Sequence, residues 1–191
     1  NNNIKFLSFS LTIVIILIAA TRIIPHEHNY VPVFAMILFA SAYLKNRWQS
    51  VLIAIGVLWA SDLYLNNWVY IQEGQPFQMF GAPFQYLAYI SVALIGTKIF
   101  NKSISPPKVF GSSILAGIAF FLVSNFGVWL GGNMYPLNLE GLFTCYIAAA
   151  PFAKATFESN MLFTPVLFGG YYLLQKPFKS LQLNHIKYSK F

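Results

Sequence analysis

The chain has 191 residues, of which 57% are hydrophobic and 9% charged, where soluble domains average roughly 45–50% apolar and roughly 25% charged. So few polar groups cannot cover a water-exposed surface, which excludes an ordinary cytosolic enzyme, a disordered tail and a collagen-like rod. The net charge of +7 is split into clusters between apolar runs, a pattern of loops on one side of a membrane and not the single basic stripe of a nucleic-acid binder.

Apolar runs between polar punctuation predict an all-α, polytopic membrane protein. Its six helices span about residues 6–24, 31–44, 49–65, 84–100, 109–130 and 156–174, within a single integral domain over 1–191. The first run follows Lys5 and carries Ala19-Ala20, so it also reads as a secretory signal with a small-residue cleavage site. The second, at 14 residues, is shorter than the roughly 17–25 needed to cross unaided. It either begins in the loop around Asn29 and Tyr30 or sits inside the bundle, and Pro32 suits a first helical turn.

Between the fifth and sixth runs, Gly131-Gly132-Asn133-Met134-Tyr135-Pro136 precedes a semi-apolar stretch at about 141–153. That stretch is too short to cross and return, so a surface or re-entrant cap on the outer end is expected there. Gly127 with Gly131, and Ser113 with Gly117, are small-xxx-small pairs that permit close helix approach.

Counting charges against six spans gives the orientation. With the amino terminus cytoplasmic, ten of the twelve Lys and Arg residues face the cytoplasm, Arg22 and Lys154 being the others, and all five acids lie outside. Both termini are then cytoplasmic.

Polar groups near a bilayer are costly unless paired, so their positions carry the functional signal. Arg22 ends the first span and is followed by His26, Glu27, His28 and Asn29. Asp62 shares a helical face with Trp59 and Asn66. Ser124, Asn125 and Trp129 end the fifth span, Tyr135 follows it, and Lys154 and Glu158 open the sixth. An outward-facing pocket is the resulting expectation, with Arg22, Asn125, Trp129 and Tyr135 touching a solute and Asp62, Lys154 and Glu158 setting its charge.

The bland readings stand beside this one. Arg22 with Asp62, and Lys154 with Glu158, serve equally as neutralising pairs between helices. His26 and His28 lack an identifiable third metal ligand, so no metal or other cofactor is expected. Cys145, the one cysteine, reads first as a small buried hydrophobe. No catalytic triad, zinc-protease helix, phosphate loop or dinucleotide fingerprint is present.

The residues Arg22-Ile23-Ile24-Pro25-His26 with Asn29 and Pro32, Ser124 to Trp129, Met134-Tyr135-Pro136, Gly141-Leu142, Cys145-Tyr146 and Pro151-Phe152 carry a family resemblance over nearly the whole chain. It resembles a small bacterial membrane family described as transport proteins, itself similar to the S components of energy-coupling-factor transporters. The resemblance implies a six-helix S-component-like bundle in the inner membrane that binds a vitamin-like or metal-related solute at the outer face and works with membrane-protein partners. One feature departs from S components: their first-helix Ala-xxx-Ala motif is replaced by adjacent Ala19 and Ala20. The expected partners are therefore the lipid bilayer, a small solute and other membrane proteins, without nucleic acid. The rival expectations are a structural or assembly subunit of a larger membrane complex and a thiol- or metal-dependent membrane enzyme.

Overall fold

The computed structural model describes residues 20–22, 30, 32–44, 47–71, 73–132 and 134–188, and within them the side chains of all but 47 and 176–188. The described residues are helical or in loops, without strands. Five helices follow one another: α1 Val33–Tyr43, α2 Arg47–Tyr64 prolonged by a π-helical turn Leu65–Val69, α3 Pro83–Phe100, α4 Pro106–Gly131 and α5 Leu139–Tyr188. Most of the first predicted span lies outside the described residues.

Helix α1 forms the core. Its sequence, VFAMILFASAY, is apolar nearly all round, as a helix buried on every side must be. Residues Val33 to Ser41 are all buried, and α1 packs against each of the other four helices. The 14-residue run thus sits inside the bundle.

Each neighbour meets α1 in a different way. On α3, Gly96 lies against Ser41, where a Cβ would collide. From α4, the Phe120 ring lies 4.7 Å from Phe34. From α5, Phe168 and Tyr171 stand edge-on to Phe39 at 5.5 and 5.0 Å.

Two hairpins order the rest. Residues 101–105 join α3 to α4, and prolines in the first turns of both helices start them where an amide hydrogen is not needed. Helix α5 then returns along α4, with Cys145 beside Asn125, Phe157 over Gly117 and Asn160 donating to the Ser113 carbonyl. The small pair Ser113/Gly117 is therefore the α4–α5 seam, while Gly127 receives Phe84 of α3. The bundle has a basic end, where Lys98, Lys102 and Lys108 flank the α3–α4 turn, and an acidic end holding Asp62, Glu73 and Glu140.

One expected boundary is corrected. Residues 141–153 form no separate cap, because α5 runs unbroken for 50 residues from Leu139. Pro151 reads as punctuation in the sequence, yet Ala148 to Ala150, Ala153 and Ala155 are strong helix formers around it. Among the described residues two helices, Trp48–Val69 and Pro106–Gly131, are long and apolar enough to cross a membrane.

Truncating the hub should be felt throughout. Phe39→Ala is expected to lower unfolding free energy by about 3–5 kcal/mol, whereas Phe110→Ala on the exposed face of α4 should change it by no more than about 0.5 kcal/mol. Thermal or denaturant unfolding of the two variants in the same detergent checks the contrast.

Candidate functional site

At the acidic end, the sequence Trp59 to Tyr70 ends α2 in a π-helical turn, and the chain then loops back over it through residues 71–82. Side chains bond that loop's backbone directly. Asn67 makes a two-way clamp, donating from Nδ2 to the Gln78 carbonyl and accepting the Gln78 amide at Oδ1, both at 2.8 Å. Trp59 Nε1 donates to the Met79 carbonyl at 3.1 Å. The Gly81 amide donates to the Tyr86 hydroxyl at 3.3 Å. Gly74, at φ 79°, supplies the left-handed turn that L side chains rarely adopt.

Beneath the loop lies Asp62, buried at 5% exposure. Its Oδ1 accepts from Arg22 Nη2 at 3.0 Å, and Arg22 Nη1 donates to Ser61 Oγ at 2.6 Å. Ser61 is itself fixed to the Val57 carbonyl at 2.7 Å. The other carboxylate oxygen, Oδ2, is buried and has no hydrogen-bond partner. Gly81 lies directly over it, so close that a Cβ there would collide. The Tyr86 hydroxyl, which accepts from Gly81, faces the same carboxylate and is its nearest donor besides Arg22.

Beside this pair opens a cavity of about 470 Å³, lined by Arg22, Asp62, Asn66, Gln78 and Gln85, with Tyr70 and Phe80 among its apolar walls. Its volume lies within the roughly 300–1,000 Å³ typical of small-molecule sites. An ion pair with one unused acceptor, ringed by amide side chains that both donate and accept, suits a polar solute held by several hydrogen bonds.

The other residues expected in the pocket are dispersed. Asn125 lines a smaller cavity of about 280 Å³ between α4 and α5, with its amide donating to the Phe121 carbonyl at 2.8 Å. Cys145 is buried beside it, its sulfur 3.5 Å from the Asn125 carbonyl, in the setting of a packing residue. Trp129 Nε1 donates to the Pro136 carbonyl at 3.0 Å and so fastens the loop that holds the half-buried Tyr135.

Lys154 and Glu158 pair at 3.8 Å on the outside of α5, 78% and 56% exposed. Neither is among the residues that line the Asp62 cavity. They flank Phe157, which sits over Gly117 near the middle of α4. The i,i+4 spacing that pairs them is also what lets the helix carry both charges along its length. His26 and Asn29 lie outside the described residues. Among the described residues no three His, Cys, Asp or Glu side chains gather as metal ligands.

Asn67, Gln78, Gly81, Gln85 and Tyr86 were not singled out by the sequence. The signal for Asn67 was its position beside Asn66, one residue off the expected face. The π-helical turn changes the register there and buries Asn67 while Asn66 lines the cavity.

The chain belongs to DUF6580, a family of unknown function whose profile matches residues 2–181. Neither a curated protein nor a solved structure matches it.

Removing one member of the buried pair leaves an uncompensated charge, so Arg22→Ala is expected to cost about 3–5 kcal/mol. The double variant Arg22→Ala/Asp62→Ala should recover a large part of that loss. A double-mutant cycle by denaturant unfolding measures the coupling, and additive losses would show that the two side chains do not depend on each other.

Proposed function

We propose that the chain is a six-span protein of the bacterial inner membrane, with both termini cytoplasmic, that captures a small vitamin-like or metal-related solute at its outer face. It passes the solute inward without chemical conversion, alone or with membrane-protein partners, in the manner of an S component.

The single observation that carries this reading is the Asp62 cavity: a polar chamber at one end of the bundle whose central carboxylate keeps an unused buried acceptor. A buried carboxylate beside a cavity gains from every further donor brought to it, which a polar solute could supply alongside Tyr86. Support for the bilayer comes from the surface. Helix α4 exposes Phe110, Ile114, Leu115, Ile118 and Leu122 along one length, while Ser112 and Ser113 turn inward. That arrangement is the reverse of a water-soluble helix and suits lipid. The basic turn and the acidic end lie at opposite poles of the α3–α4 hairpin, and the positive-inside rule supports reading the cavity's end as the outer one.

Mass spectrometry of the gently purified protein should find a retained small molecule on the wild type. Asp62→Asn keeps the shape but loses the anion, and is expected to lose at least nine-tenths of that molecule at equal membrane abundance. Undiminished retention by Asp62→Asn would remove the cavity from the function. Because Asn125 lies in a different cavity, Asn125→Ala should retain the solute at or near the wild-type level.

A further inference from the structure

A cavity larger than the Asp62 chamber, of about 710 Å³, opens at the basic end as a groove between the start of α4 and the second half of α5. Its walls are mostly apolar: Ile104, Val109 and Phe110 on the α4 side, Pro165 and Phe168 on the α5 side, and Tyr43 at the end of α1. Ile104 and Phe110 are exposed, so the groove opens onto the outside of the bundle. Gly169 also lines it, and a Cβ there would meet no atom within 4 Å.

The turn that supplies the α4 wall is basic. Lys102 precedes Ile104 by two residues, and Lys108 stands between Pro106 and Val109 in the first turn of α4. Lys108 folds back on this turn, its Nζ donating to the Ser103 carbonyl at 3.1 Å and to the Ser103 hydroxyl at 2.7 Å. Both partners are neutral, so the ammonium keeps its charge and a third donor. Lys98 stands in the last turn of α3, before the same connection. Among the described residues no carboxylate answers these three lysines: Asp62, Glu73 and Glu140 lie at the other end, and Glu158 pairs with Lys154 about two helical turns short of Pro165.

We propose that this groove seats an acyl chain of one anionic phospholipid, whose phosphate lies against the lysine turn. In a bilayer, the reading on which this inference rests, apolar area alone selects no lipid, because a chain that leaves bulk lipid for the groove escapes no water. The choice falls to the headgroup, and a basic pocket between helices at the cytoplasmic surface favours an anionic one. Wall and lysines belong to one short stretch of chain, residues 102–110, so acyl chain and phosphate are recognised at adjacent points.

Carbonate extraction first establishes that the chain is integral. The full chain, delipidated in mild detergent, is then titrated with phosphatidylglycerol or with phosphatidylethanolamine of the same acyl chains, and native mass spectrometry reads bound lipid and oligomeric mass together. The wild type is expected to bind one phosphatidylglycerol about fivefold or more tightly than phosphatidylethanolamine. Gly169→Phe puts a ring into the groove and should weaken that binding at least tenfold, whereas Gly170→Phe, one residue on and outside the lining, should leave it within twofold. The combined Lys98→Gln, Lys102→Gln and Lys108→Gln variant should bring the preference below twofold. Equal binding of the two lipids by the wild type, undiminished binding by Gly169→Phe, or a lysine variant that keeps the preference each overturns the site. A wild-type dimer that Gly169→Phe splits also overturns it and gives the groove to a second copy. The lysines lie at the surface, so their variant decides the matter even where the added ring disturbs folding. A chain released by carbonate overturns the bilayer reading together with the site, while an integral chain without a lipid preference overturns the site alone.

Discussion

The fold depends on burying α1 completely. An 11-residue helix is about 16 Å long at about 1.5 Å per residue, half the roughly 30 Å thickness of a hydrocarbon core. A helix that short shows neither lipid nor water a useful face, so the other four must enclose it, and their lengths follow from that duty. Its one buried hydroxyl, Ser41, is satisfied internally by the Ile37 carbonyl at 2.7 Å and reaches the Ala93 carbonyl of α3 at 3.2 Å. That bond and Gly96 together bring α3 to backbone distance. The aromatic rings of α4 and α5 fill the remaining sides. Once α1 is enclosed, the ends of α2 and α3 are held at one pole, and the Asp62 cavity is the space left between them and their connecting loop.

The polar seam between α4 and α5 follows the same logic at another place. Ser112 and Ser113 turn their hydroxyls back to the Val109 carbonyl at 2.9 and 3.0 Å, Asn160 donates to the Ser113 carbonyl, and Thr164 donates to Asn160 Oδ1 at 2.9 Å. Of these, only the Asn160 bond crosses between the helices, and it favours this register because a helix that slid by one turn would take the buried Asn160 amide away from the Ser113 carbonyl.

Much of this was legible in the residues because it follows from polarity alone. Apolar runs gave the helices, the small pair Ser113/Gly117 marked a close approach, and Arg22 and Asp62 were opposite charges too costly to leave apart. Asn66 and Asp62, expected on one helical face, line the same cavity. What polarity could not show was where a helix continues through a proline or a charged pair. Lys154 looked like a boundary because it breaks an apolar run, whereas the alanines on either side of it decide the local conformation. The pocket also gathered too many residues, since every polar group near one end of a span was given to one site. Helix direction separates them: Asn125 and Trp129 project from α4 toward α5 and the 132–138 loop, and Asp62 projects from α2 toward α3. Gln78 and Gln85 carry no sequence signal, as uncharged amides in a loop and a first helical turn resemble ordinary surface residues.

The two poles of the bundle are held by different physics, and the difference bears on which one can exchange a solute. At the basic end, Tyr43 lies 4.6 Å from Tyr171 and Phe100 lies 5.3 Å from Phe168, a cluster of rings that stabilises by area and shape. Parting such rings exposes apolar surface and returns nothing until they close again. At the acidic end the loops are tied down by discrete hydrogen bonds that Trp59, Asn67 and Trp129 donate to backbone carbonyls and that Asn138 accepts from the Gly141 amide. A hydrogen bond to a loop can be traded for one to water or to a polar solute at a small net change, typically about 0.5–1.5 kcal/mol. Opening therefore costs least where the bonds are replaceable one for one, and that pole is also where the Asp62 carboxylate lies under Gly81 and beside Tyr86.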